Sequence, residues 1–314
     1  MSAQLSSLDI IPKSTLRTSH LFSGAELNTV EINQLLNLST LLKKERQQHK
    51  ISNVLFRKQL ALLFDKASLR TRFSFTIAMR ELGGNVIESV SYDRKEEEPE
   101  DQMRVLQGYC HGIMVRASSD ALLERMKNVA TIPIINGLSD LYHPCQTLAD
   151  LLTLQEKFGN VSGLVLSYIG DGNNVLHSLL LMAPKLGIHL RYCCPPEYGP
   201  DKEVLKLATM QTMPGSITCC NTPEIAAKTC DAIYTDVWTS MGFEAKNESA
   251  FDGFQINEQL MKKANKHAVF MHCMPMVRGK EVSNDLPDQS CSLIFQQSEN
   301  RLHVQKALLL TLLS

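Results

Sequence analysis

Short apolar runs recur along the chain with amphipathic stretches between them: ALLF (61–64), GIMV (112–115), PIIN (133–136), LVLSYIG (164–170), AIYT (232–235) and AVFMH (268–272). Runs this short suit buried strands better than helices. Strands that alternate with helices lie parallel, and a parallel sheet is covered by helices on both faces. The pattern therefore predicts an α/β chain. At 314 residues there is room for two such units, each of roughly 150 residues. We expect two doubly wound parallel-sheet domains with the active site in the cleft between them, linked by a helix over 146–157. Asn28 and Glu31 have the form of a capping box ahead of Ile32, Leu35, Leu36 and Leu42, which recur at helical spacing. SENRLHVQKALLLTLL (298–313) predicts a terminal helix, and RKEEEPED (94–101) reads as an exposed loop.

Charge and cysteine content narrow the function. The net charge is -1, so nothing in the bulk composition draws the chain to nucleic acid or to a membrane surface, and any anion site must be local. No apolar stretch approaches the ~20 residues that span a bilayer. The first residues, MSAQLSSLDIIPKSTLRTSH, lack the layout of a secretory signal, although their Ser, Thr and basic residues are also found in organelle presequences. Nine cysteines are an odd number, and none has zinc-ligand spacing. A reduced, cytoplasmic chain without a bound metal follows. There is no internal repeat, CxxC, HExxH or Walker loop.

In open parallel sheets ligands gather at the carboxyl ends of strands, so the residues after each apolar run are the candidates. Ser68-Leu69-Arg70-Thr71-Arg72 follows one run and opens a helix. Free backbone N–H groups there favour an anion, and Arg70 can add a bidentate fork. The same stretch also reads as a capped helix with surface arginines. Arg116 ends the next run, facing either a cleft or an acid. His143 and Gln146 flank Pro144, so both can face one small group, and a Gln amide supplies donor and acceptor together. They serve equally as parts of a helix start. Gly170 and Gly172 lack the GxGxxG spacing of a dinucleotide loop, while Asn173 and Asn174 offer amides to an amino-acid backbone. Asp236 can hold an ammonium group, flanked by Ser240 and Met241. Trp238 reads as packing. Cys273, beside His272, is a binding thiol or core packing. Arg301 is expected in the first turn of the last helix, where a cation is unfavourable unless a ligand anion compensates.

In this order the stretches resemble the aspartate/ornithine carbamoyltransferase family, and within it the ornithine branch, from about residue 20 onward. SLRTR is similar to the family's S-T-R-T-R loop, and HPCQTLAD to its H-P-x-Q motif. IGDGNNVLHS, DVWTSMG, HCMP and ENRLH resemble the ornithine branch. The resemblance implies transfer of the carbamoyl group of carbamoyl phosphate to the side-chain amine of L-ornithine, giving citrulline and phosphate, with no cofactor or metal. It implies a carbamoyl-phosphate-binding domain over 1–140, joined by helix 298–314, and an ornithine-binding domain over 141–297. Ser68, Leu69, Arg70, Thr71, Arg116, His143, Gln146 and Arg301 would bind carbamoyl phosphate. Asn174, Asp236, Ser240, Met241, Cys273 and Met274 would bind ornithine, with Arg70, Arg116, His143 and Cys273 as the catalytic group. A homotrimer working on small-molecule substrates, with no nucleic-acid or membrane partner, is also implied. Leu69 departs from the family's usual Thr, and SYDRKEEEPEDQMRVL is more acidic than the family's loop. Competing readings are transfer to another amine such as an acylated ornithine or putrescine, a binding paralogue, and a dinucleotide-dependent enzyme.

Overall fold

The computed structural model describes residues 16–50, 52–66, 68–90, 97–239 and 246–314. Two compact units divide the chain. The first runs up to Leu152 and resumes over Asn300–Ser314, and the second is Thr153–Glu299.

The first unit is built on a four-stranded parallel sheet. Its strands are β1 (Gln59–Phe64), β2 (Asn85–Val90), β3 (Gly112–Arg116) and β4 (Ile134–Leu138), in the spatial order β2-β1-β3-β4. Alternate residues Ala61, Leu63, Ile113, Val115 and Ile134 form one buried cluster with Met103, Leu123 and Met126. Those last three come from helices α3 (Pro99–Leu106) and α4 (Asp120–Lys127). The intervening residues Leu60, Leu62, Met114 and Ile135 are buried as well, so the central strands are covered on both faces, as a parallel sheet requires. Helix α1 (Thr29–Gln47) opens with the expected capping box: Asn28 accepts from the Glu31 N–H, and the Glu31 carboxylate accepts from the Asn28 N–H. Helix α2 (Arg70–Glu81) follows β1.

The acidic stretch is not wholly a loop. Residues 91–96 lie outside the described residues, but Pro99, Glu100 and Asp101 form the first turn of α3. Proline at a helix start with carboxylates beside the positive dipole end is itself a start signal. Glu98 and Glu100 are paired with Arg125 on α4.

The second unit carries a five-stranded parallel sheet. Its strands are β5 (Val165–Ile169), β6 (His189–Cys193), β7 (Ser216–Cys219), β8 (Ala232–Thr235) and β9 (Val269–His272), in the order β7-β6-β5-β8-β9. Ile169, Cys193, Ile233 and Phe270 pack with Ala226 and Ala227 of α8 (Pro223–Ala227) and Leu260 of α9 (Glu258–Met261). Helices α6 (Asn174–Met182) and α7 (Lys202–Thr209) complete the strand–helix alternation.

Helix α5 spans Pro144–Phe158 and α10 spans Ile294–Leu313, so both unit boundaries fall inside helices. α10 starts earlier than the sequence reading expected, and Arg301 is not in its first turn. It lies about two turns in, at ~3.6 residues per turn. The early start is fixed by packing: Ile294 is fully buried in the core of the second unit, and the Gln297 side chain accepts from the His272 N–H at 3.0 Å.

Candidate active site

Each sheet reverses its direction of growth once. In the first unit β1 pairs with β2 on one side and β3 on the other. In the second, β5 lies between β6 and β8. Ligand crevices of open parallel sheets form beside such switch points, at the carboxyl ends of the strands. Ser68 lies in the loop after β1, and Arg116 is the last residue of β3. The loops after β5 and β8 carry Asn173 and Asp236.

In the first unit the structure draws the expected residues into one cluster. The Arg116 guanidinium donates to Ser68 Oγ at 3.0 Å. Arg301 donates through Nη1 to Gln146 Oε1 at 2.8 Å and through Nη2 to Thr71 Oγ1 at 2.7 Å. A longer contact of 3.5 Å joins Arg301 Nη1 to His143 Nε2. A guanidinium can only donate, so the Nε2 facing it is the unprotonated nitrogen and the ring proton sits on Nδ1. Burial, then Arg301, Arg116 and Arg70, hold the His143 pKa well below the usual imidazole value. His143 is therefore neutral at pH 7. Gln146 has no freedom to flip: its oxygen must face Arg301, and its Nε2 donates to the buried Asp150 at 2.8 Å.

Electrostatically the cluster asks for an anion. Arg116 is 9% exposed and Arg301 3% exposed. Burial, with Arg301 and Arg70 nearby, pulls the Arg116 pKa down to about 10. All three guanidiniums remain charged at pH 7. Like charges gathered out of water are unfavourable by themselves, and a multiply charged anion relieves the repulsion. Arg72 does not belong to the cluster: it pairs with Glu88 on β2 and lies 5.7 Å from the Phe64 ring centroid. Leu69 occupies the N-cap position of α2, 67% exposed, with helical dihedrals and no side-chain cap bond.

In the second unit a separate network surrounds Asp236, which is 5% exposed. Its carboxylate accepts from Asn173 Nδ2 at 2.6 Å, the Val237 N–H at 2.8 Å and Cys273 Sγ at 2.9 Å. Asn173 also caps α6 through its oxygen and accepts from the Tyr168 hydroxyl at 3.2 Å. Burial, then Asp236 and Asp171, push the Tyr168 phenol pKa well up, which keeps it a donor. Asn174 is buried at the first position of α6. Ser240 and Met241 lie outside the described residues.

The loop after β9 is stapled to itself. His272 Nδ1 accepts from the Met274 N–H at 2.9 Å, so Nε2 carries the proton and faces Glu281 Oε1 at 3.2 Å. Glu281 accepts from the Val277 N–H too. His272 and Glu281 are 0% and 1% exposed. This anchorage holds Met274 at a left-handed φ of 62°, a conformation that costs a side-chain-bearing residue about 1–2 kcal/mol. Asp236, His272 and Cys273 offer ligand atoms within 4.8 Å of one another, but both His272 ring nitrogens are already engaged. Cys273 bonds to Asp236, while His272 serves the loop through Glu281 and the Met274 N–H.

Gly172 shows what the glycine-rich loop is for. A Cβ there would come within 2.3 Å of the Gly199 backbone, and its N–H donates to the Tyr198 carbonyl at 2.8 Å. The glycine permits close packing of two loops. Sequence reasoning missed Asp150, Glu281, the bond from Asn173 to Asp236, and the buried Asp171 with its ion-pair partner Lys246. Asp150 closes the HPCQTLAD stretch, four residues from Gln146 and so on the same helix face, which was the available signal; Glu281 lies nine residues from His272, beyond HCMP. Nothing in sequence marks Lys246.

Comparison with known proteins extends these observations over the whole chain. The family description "aspartate/ornithine carbamoyltransferase, carbamoyl-P binding domain" matches residues 19–156, and "Asp/Orn binding domain" matches 162–312. An ornithine carbamoyltransferase of Archaeoglobus fulgidus is 40% identical over 301 residues, 94% of this chain and 97% of that one. One from a Nostoc species is 43% identical over 300 residues, 93% of this chain and 96% of its own length. The solved ornithine carbamoyltransferase of Pyrococcus furiosus has a TM-score of 0.90 at 39% identity, covering 96% of this chain and 99% of that one. That from Thermus thermophilus gives 0.86 at 37% identity, covering 95% and 99%. The likeness embraces both units.

Proposed function

Since the chain belongs to the aspartate/ornithine carbamoyltransferase family, we propose that it transfers the carbamoyl group of carbamoyl phosphate to the side-chain amine of L-ornithine, giving L-citrulline and phosphate. The observation that carries this reading is the cluster of Arg70, Arg116 and Arg301 around a neutral His143. Its charge suits a phosphate dianion, while His143 and the oriented Gln146 amide suit a small carbonyl group with N–H donors.

The first unit acts as the carbamoyl-phosphate-binding domain. The start of α2, with Ser68, Leu69, Arg70 and Thr71, takes the phosphate. Thr71 Oγ1 already accepts from Arg301, so its proton is left to donate. Arg116, His143, Gln146 and Arg301 hold the carbamoyl group. The second unit acts as the ornithine-binding domain, through Asn174, Asp236, Ser240, Met241, Cys273 and Met274. Asp236 holds an ammonium group, which supports a free amino acid over an acylated one. In the reaction the neutral amine forms a C–N bond to the carbamoyl carbon. The C–O bond to phosphate breaks, phosphate leaves with the electron pair, and the amine releases a proton. Arg70, Arg116 and the His143 Nδ1–H stabilise charge developing on oxygen. Removing one such donor typically slows an enzyme by 10²–10³-fold. Cys273 keeps Asp236 aligned. The scheme needs neither cofactor nor metal.

The chain acts as a cytoplasmic homotrimer in this reading. Its cysteines among the described residues are free thiols, and no helix among them is long and apolar enough to cross a membrane. The trimer is supported by exposed apolar side chains on α2 and β2, namely Phe73 and Ile87. Among the described residues β2 pairs on one edge only.

The test is citrulline formation from carbamoyl phosphate and ornithine across pH. An alkylammonium must first lose a proton at a pKa near ~10.4, so the rate at saturation rises from neutral into alkaline pH. No citrulline, or a flat profile from pH ~6 to ~9, would reject the proposal. Carbamoylation of putrescine or an acylated ornithine instead would identify the other acceptor.

A further inference from the structure

The second unit buries two carboxylates on either side of Asn173. Asp171 is 2% exposed and Asp236 5% exposed. The Asn173 N–H donates to the Asp171 carbonyl at 2.9 Å, and its side-chain amide donates to the Asp236 carboxylate at 2.6 Å. The two acids are close enough that Asp236 makes ionisation of Asp171 harder. An ammonium group entering this region would therefore meet two candidate carboxylates.

Their partners differ in kind. Asp236 is surrounded by neutral donors: an amide, a backbone N–H and a thiol. No cation pairs with it among the described residues. Asp171 is paired with the Lys246 ammonium. That ammonium also lies 5.1 Å from the Tyr198 ring centroid, so its position is fixed on two sides. The Lys246 N–H donates to Thr239 Oγ1 at 3.2 Å, which anchors its backbone as well. A buried carboxylate with a cation beside it has little attraction left for a second one, whereas a buried carboxylate held only by neutral donors keeps its full demand for a counter-charge.

We propose that Lys246 is a specificity-determining residue of the ornithine pocket: by neutralising Asp171 it leaves Asp236 as the one buried carboxylate open to the substrate's ammonium. The inference rests on the reading of this unit as the ornithine-binding domain. Lys246 touches neither the reacting amine nor the carbamoyl group. It acts by removing a wrong docking position. Without it, ornithine divides between two carboxylates, and only one of these poses presents the side-chain amine for attack.

A double-substitution cycle with Lys246→Met and Asp171→Asn tests this, read as kcat and as separate KM values for ornithine and carbamoyl phosphate. Lys246→Met lowers kcat and the apparent ornithine KM together, each at least about fivefold, because an unproductive pose lowers both alike, and leaves the carbamoyl-phosphate KM within about twofold. Adding Asp171→Asn removes the competing acid and restores turnover, with kcat and the ornithine KM within about threefold of the parent. Lys246→Arg, which keeps the cation, also recovers it. An unchanged kcat in Lys246→Met overturns the proposal. So does a double variant as impaired as the single one, or a parallel rise of both KM values, since either marks a merely structural lysine. A parent that forms no citrulline would instead reject the proposed function, and this inference with it.

Discussion

Leu69 stands where the start of α2 offers its backbone to an anion. A hydroxyl there would add a hydrogen bond to a charged oxygen, worth about 1.5–3 kcal/mol. Leu69→Thr is expected to lower the carbamoyl-phosphate KM by roughly ten- to a hundredfold. Stability should hardly move. The Leu69 backbone is helical, at φ -82° and ψ -63°, not extended as a capping residue requires, so a new hydroxyl gains no cap bond. Steady-state kinetics with a melting curve separate the two effects. An unchanged KM would place the hydroxyl away from the anion, and a Tm shift beyond about 2 °C would contradict the capping argument. Other residues of the site differ in how well sequence marked them. Ser68, Arg116 and Asp236 each follow an apolar run, so position in a parallel sheet singled them out. Lys246 and Asp171 are far apart in the chain, and only the folded second unit makes them partners.

At the level of elements, the buried strands were readable because burial on both faces demands continuous apolar runs, as in ALLF and GIMV. Strands β2, β6 and β7 were not. β2 and β7 are sheet edges whose residues are largely exposed, and β6 carries His189 and Arg191 on its half-buried positions. The beginning of α10 was misread for another reason. Ser298 resembles a cap, but burial of Ile294 extends the helix backwards, so packing overrides the local signal. The loop after β9 gives a prediction of its own. Glu281→Ala strips the fully buried His272 Nε2–H and the part-buried Val277 N–H of their acceptor. Each orphaned donor costs about 1–3 kcal/mol. Denaturant unfolding should show a loss of about 2–5 kcal/mol, together with a higher ornithine KM. A loss below about 1 kcal/mol would mean that the loop holds without its staple.

For the whole molecule, the exposed apolar side chains set the expectation. Phe73 is 58% exposed and Ile87 56% exposed, a costly display unless another copy covers them. Phe73→Glu should convert a trimer into smaller species in sedimentation at micromolar concentration, while a parent that sediments as a monomer would remove the trimer from the proposal. The division of the chain has a consequence in time. The first unit is interrupted by the whole of the second and regains Asn300–Ser314 only afterwards. Synthesis therefore passes through Thr153–Glu299 before it reaches Arg301, the side chain that ties Thr71 to Gln146. Until Arg301 emerges the anion cluster lacks one of its cations. Competence to bind the anion therefore waits for a residue that follows the whole of the second unit.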